Sequence, residues 1–118
     1  MPALNFQKRF APSVESGKKR QTIRACRRDG RNPRVGHTLY LYTGQRTKYC
    51  RKLGEAVCKS SEIITIDENY IFVEGKILTD HECAKLAIAD GFEYVEDFKG
   101  FFSQNHDGLP FTGYLIKW

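Results

Sequence analysis

TDHECAKLAIADGFEYVEDFKGFF, residues 79–102, decides the fold class, because here the apolar period changes from that of a strand to that of a helix. It opens with a capping box. Thr79 stands at the N-cap with Glu82 three residues on, so each side chain can satisfy a backbone N–H of the other. Cys83, Leu86, Ala87 and Ile88 supply an apolar face and Gly91 a stop, which predicts a helix over about 80–90. In YVEDFKGFF, residues 94–102, Val95, Phe98 and Phe102 fall at i, i+3 and i+7, the stripe of a second helix packed on a core.

Outward from this stretch the chain reads as strands and turns. FTGYLIKW, residues 111–118, is a closing strand, and YIFVEGKIL, residues 70–78, a hairpin turning at Glu74-Gly75. KLGEAVCKSSEIITID, residues 52–67, makes one long bent strand or two shorter ones. TLYLYTG, residues 38–44, puts Leu39 and Leu41 on one face and Tyr40 and Tyr42 on the other; in QTIRAC, residues 21–26, Thr22 and Arg24 oppose Ile23. ALNF, residues 3–6, is an opening strand. After it comes a short helix with Phe10 and Val14 at i, i+4, kept short by Pro12 and ended by Gly17. Strands first and last, a meander between and late helices predict one α+β domain over residues 1–118, a small, mostly antiparallel β-barrel with two or three short helices.

The 41% hydrophobic content suits a globular chain, and no apolar run approaches the ~18 residues of a membrane span. MPALNFQKRF lacks the apolar segment of a signal peptide, so a cytoplasmic location and no membrane partner are expected. In a reducing compartment Cys26, Cys50, Cys58 and Cys83 are expected as free thiols, and neither their spacing nor that of His37, His81 and His106 makes a metal site. No metal or cofactor is expected.

Charge is unevenly distributed. Residues 1–52 hold 14 Lys and Arg against two acids, and residues 53–118 hold five against 12. A basic half of this kind suits an anionic partner, because each cation near a phosphate releases counterions. RRDGRNPRVGH, residues 27–37, is turn-rich and carries Arg27, Arg28, Arg31 and Arg34, which can follow a phosphate backbone; Lys18 and Arg20 extend the same character.

Lys18 and Arg20 also crowd Lys19, and like charges together with partial burial favour its neutral form, a usable base or nucleophile. Strict alternation would put Lys19 and Thr22 on opposite faces. They converge only if GKKR, residues 17–20, is still a turn and the strand begins near Gln21. Arg24, on the face of Thr22, can then hold a phosphate or a developing oxyanion.

Gly17, Lys19, Thr22 and Arg24 make a G-x-K-x-x-T-x-R pattern, and with VGHTLYLYTG, AIADGFEYVEDFKGFF and FTGYLIKW the chain resembles the ASCH domain of the PUA-like superfamily over nearly its whole length. The resemblance implies a PUA-like barrel with a cleft beside this pattern and an RNA or modified-nucleoside ligand. One branch consists of N(4)-acetylcytidine amidohydrolases, and similarity to it implies Lys19 as base, Thr22 as nucleophile and Asp90 as the carboxylate. Asp90 is one methylene shorter than the glutamate usual there, so a contact set for glutamate falls short by roughly 1 Å; Glu93 is the alternative. His37 stands where relatives commonly carry an acid and reads as a surface exchange. Arg24, Tyr40, Tyr42 and Arg46 are the expected substrate contacts, with Tyr49 a third ring able to stack a base. A non-catalytic RNA-binding module and a ribonuclease are the alternative functions. A monomer is expected.

Overall fold

Leu39 and Leu41 are buried and Tyr40 and Tyr42 half-buried, as their alternation requires, so the strand that carries them has one face on the core. The structure, a computed structural model, describes residues 3–26, 30, 32–105 and 108–118. Its strands are β1 (Ala3–Phe6), β2 (Gln21–Ala25), β3 (Thr38–Thr43), β4 (Arg51–Val57), β5 (Ser60–Ile66), β6 (Ile71–Val73), β7 (Lys76–Ile77) and β8 (Phe111–Lys117); its helices are α1 (Ala11–Glu15), α2 (Asp80–Ala89) and α3 (Val95–Asn105). The fold is therefore α+β.

Among the described residues the strands form two sheets, β1-β3-β4 and β2-β8-β5-β6-β7, and all pairings are antiparallel except β1 with β3, which run parallel from Ala3 opposite Tyr40 to Phe6 opposite Thr43. Residues 52–67 resolve into two strands that part company: β4 joins the first sheet and β5 the second. The predicted hairpin turns at Glu74 and Gly75, both at positive φ, as a two-residue turn between twisted strands demands.

The capping box of α2 forms in full. The Glu82 N–H donates to Thr79 Oγ1 at 3.2 Å and the Thr79 N–H to Glu82 Oε1 at 3.0 Å. One expected core residue falls outside: Ile88 is exposed, because the face of α2 that meets the body of the protein is set by Leu86 and Ala87. On α3, Phe98 and Phe102 are buried as their spacing predicts. Phe102 packs on Phe111 of β8 with ring centroids 5.0 Å apart, and Phe6 of β1 meets Trp118, just after β8, edge-on at 5.9 Å. β8 is thus the strand on which both α3 and the smaller sheet converge.

Gly91 follows α2 at φ +99°, the left-handed conformation of a helix stop. A Cβ there would also stand 3.0 Å from the Phe10 ring, so the position needs glycine for its backbone and for its space. This close approach brings the end of α2 against the N-terminal cap of α1.

Candidate functional site

Lys19 is buried because the chain reverses just before it. Pro12 lies in the first turn of α1, the helix ends where the Gly17 N–H donates to the Val14 carbonyl, and the Lys19 N–H donates to Ser13 O at 2.9 Å. β2 then starts at Gln21, the condition for Lys19 and Thr22 to converge. Lys19, Gln21, Thr22 and Asp90 are all buried, the first three from one short stretch and Asp90 from the C-terminal cap of α2.

The Lys19 ammonium donates to the Asp90 carbonyl at 2.5 Å and to Asp90 Oδ1 at 3.1 Å, and lies 5.0 Å from the centre of the Phe10 ring. Helix end, carboxylate and ring face all favour a cation there. Burial opposes them. It is the largest influence on Lys19 and holds the amine below its ordinary value, partly offset by Asp90, while Arg24 and Arg9 add repulsion. Burial likewise pushes the Asp90 carboxyl up, partly offset by Lys19, by Gln21 Nε2 at 3.5 Å and by Arg24. The Asp90 carboxylate reaches Lys19, and its own carbonyl supplies a second acceptor.

Arg24 ties the two sheets together. Its Nε–H donates to Thr22 Oγ1 at 3.0 Å, its Nη2–H to Asn5 O on β1 at 2.8 Å, and its guanidinium lies 4.9 Å from the centre of the Phe6 ring. Burial lowers its pKa to about 10. Because the Thr22 oxygen accepts from a guanidinium, its hydroxyl proton stays available for donation, and negative charge developing on that oxygen meets a donor already in place.

Lys19, Thr22, Arg24 and Asp90 line one cleft of about 300 Å³, walled by Phe6, Phe10, Phe101 and Phe102 and edged by Asn5, Gln7 and Asn105. Glu93 is exposed and is not among the lining residues. The other expected substrate contacts lie elsewhere. Tyr40 and Tyr42 are on β3 of the smaller sheet with Lys52, whose ammonium is 5.4 Å from the Tyr40 ring centre, and Arg46 is exposed in the turn after β3. Alternation had placed both tyrosines on one face, and they share it, but that face is not the cleft. Lys18, Arg20 and Arg34 are exposed; Arg27, Arg28 and Arg31 lie outside the described residues. His37 is also exposed, and its Nδ1 accepts from the Arg34 N–H at 3.1 Å, a local turn contact.

Sequence reasoning missed Gln21, Asn5 and the aromatic walls. Phe101 had a signal in the FF pair, where only one ring can join a narrow helical stripe; Asn5 and Gln21 had none, because their role depends on which strands become neighbours. The four cysteines are free thiols, and no helix among the described residues is long and apolar enough to cross a membrane. No family model matches the chain, and no curated protein or solved structure matches it.

Proposed function

We propose that this chain is an ASCH-type, PUA-like domain whose two sheets are the walls of a small open barrel, and that its cleft hydrolyses the amide of an N(4)-acylated cytidine, free or within RNA. The observation that carries the reading is the convergence of Lys19, Thr22, Arg24 and Asp90 on one aromatic-walled cleft. Such a cleft suits a planar heterocycle. Thr22 Oγ1 attacks the acyl carbon and its proton passes to the neutral amine of Lys19. Arg24, already bonded to Thr22 Oγ1, holds the charge that develops there as the proton leaves; as the O–C bond forms, the carbonyl π bond opens and that charge passes to the acyl oxygen of a tetrahedral intermediate. Collapse breaks the C–N bond, Lys19 returns the proton to the departing exocyclic nitrogen, and water then hydrolyses the acyl–threonine ester to the free acid. Asp90 positions Lys19, and burial supplies the fraction of neutral amine the step needs.

The test is deacetylation of N(4)-acetylcytidine followed by chromatography. Turnover is expected for the parent, a residual fraction for Thr22→Ser, and none for Thr22→Ala or for Lys19→Arg, whose guanidinium stays protonated. Unchanged turnover by Lys19→Arg would refute the base. A second reading, a binding module without turnover, is favoured by one contact: Lys19 Nζ is already engaged by two acceptors of Asp90, an arrangement that suits a fixed cation. It predicts that the parent binds cytidine derivatives and leaves the acyl group in place.

A further inference from the structure

The turn between β3 and β4, residues 44–50, is ordered by its own bonds. Thr47 Oγ1 donates to Gly44 O at 2.6 Å, the Thr47 N–H to the same carbonyl at 3.1 Å, the Tyr49 N–H to Thr47 Oγ1 at 3.1 Å and the Cys50 N–H to Thr47 O at 3.2 Å. At Gly44, φ +66°, a Cβ would stand 2.9 Å from the Tyr49 carbonyl, so the turn closes tightly on glycine. Arg46 adopts a left-handed φ of 66°, unfavourable for a non-glycine residue and persisting only where the surroundings impose it.

The turn is also fastened to the cleft. Asn5 Oδ1 accepts from the Gln45 N–H at 2.9 Å, while the carbonyl of the same residue accepts from Arg24, which lines the cleft with it. What the turn displays is unusual beside the rest of this sheet. Arg51 and Lys52 are paired with Glu15 and Glu55, but Arg46 and Lys48 have no ion pair among the described residues. Tyr49 is 74% exposed, with the Lys48 ammonium 5.3 Å from its ring centre. Two uncompensated cations around a preset, solvent-facing ring offer a phosphodiester its counterions and the neighbouring base a stacking partner. An acidic peptide would use the cations and leave the ring idle.

We infer that the turn at 44–50 holds the nucleotide next to the one in the cleft, so that the ligand is a single-stranded RNA segment rather than a free nucleoside. The inference rests on the cleft reading above, and its test is binding, so that the two can fail separately. The probes are a labelled RNA pentamer with N(4)-acetylcytidine at its centre, the same pentamer with cytidine there, the free nucleoside and polyglutamate as competitor.

The parent is expected to bind the acetylated pentamer at least tenfold more tightly than the nucleoside. Tyr49→Ala should cost the pentamer about tenfold more affinity than it costs the nucleoside. Arg46→Ala with Lys48→Ala should lower the slope of log affinity against log salt by about 1.4, roughly 0.7 per lost phosphate contact. Equal affinities of the parent for pentamer and nucleoside, equal losses in Tyr49→Ala, an unchanged salt slope, or displacement of the pentamer by polyglutamate at equal charge would each overturn the inference. Equal affinity for the two pentamers with no deacetylation would overturn the cleft reading, and the Tyr49 and salt measurements would still decide the turn.

Discussion

The molecule pairs a lysine or arginine with a carboxylate in two very different settings. On the smaller sheet, Arg51 meets Glu15 and Lys52 meets Glu55, each at 2.5 Å, with all four side chains about half exposed. In the cleft, Lys19 meets Asp90 at 3.1 Å with side chains only 4% and 5% exposed. The longer contact matters more. Water screens the surface pairs and hydrates either partner if the other is lost, so such pairs contribute about 0–1 kcal/mol. Neither cleft partner has that refuge, and removing one leaves an uncompensated buried charge. Distance alone misranks these interactions.

The largest expected effect follows directly. Lys19→Met strands the Asp90 carboxylate and should destabilise the fold by about 3–5 kcal/mol in a denaturant titration, while Lys19→Met with Asp90→Leu should recover much of that loss. If the single and double variants are equally unstable, the cost lies in packing and the contrast with the surface pairs collapses.

The same two groups give stability a characteristic pH dependence. A carboxyl raised on folding stabilises below its unfolded value near 3.8, and that contribution disappears as pH rises through the folded value. An amine lowered on folding stabilises above its unfolded value of 10.5, and that contribution disappears as pH falls through the folded value. Relative to the Lys19→Met/Asp90→Leu variant, the parent should therefore gain stability toward both pH extremes and be at its weakest between them. Thermal melts of the two proteins across pH would show this, and parallel curves would refute it.

A smaller effect separates exposure from geometry. Thr79 and Glu82 are exposed, as the surface ion pairs are, but their bonds satisfy fixed backbone donors. Thr79→Ala should cost about 1 kcal/mol. Smallest of all, Arg51→Ala and Lys52→Ala should each change stability by less than Thr79→Ala does, and by less still at high salt. A larger loss from either than from Thr79→Ala would mean that the short surface contacts outrank a helix cap.

Much of the fold was legible in residues 79–102 and in the alternations around them. The capping box, the Phe98 and Phe102 stripe, the Glu74-Gly75 turn and the inward leucines of β3 are patterns whose cause is local, written in residues three, four or two apart. Ile88 was misread for the same reason: the pattern names an apolar residue but not the side from which a neighbouring element approaches. Whether residues 52–67 were one strand or two was likewise open, because the choice belongs to the two sheets that receive them.

For the site, the sequence by itself determined that Lys19, Thr22 and Arg24 travel together and that an acid follows the second helix. Only the tertiary structure decided that Asp90 meets Lys19, that Gln21 joins them, that Asn5 couples the cleft to the turn at 44–50, and that Tyr40 and Tyr42 face elsewhere. Lys19 and Asp90 are 71 residues apart, and no local propensity acts across that separation. Their meeting depends on the reversal at Gly17, the close approach of Gly91 to Phe10 and the packing of α3 on β8, which together exclude water and so turn an ordinary lysine into a buried one.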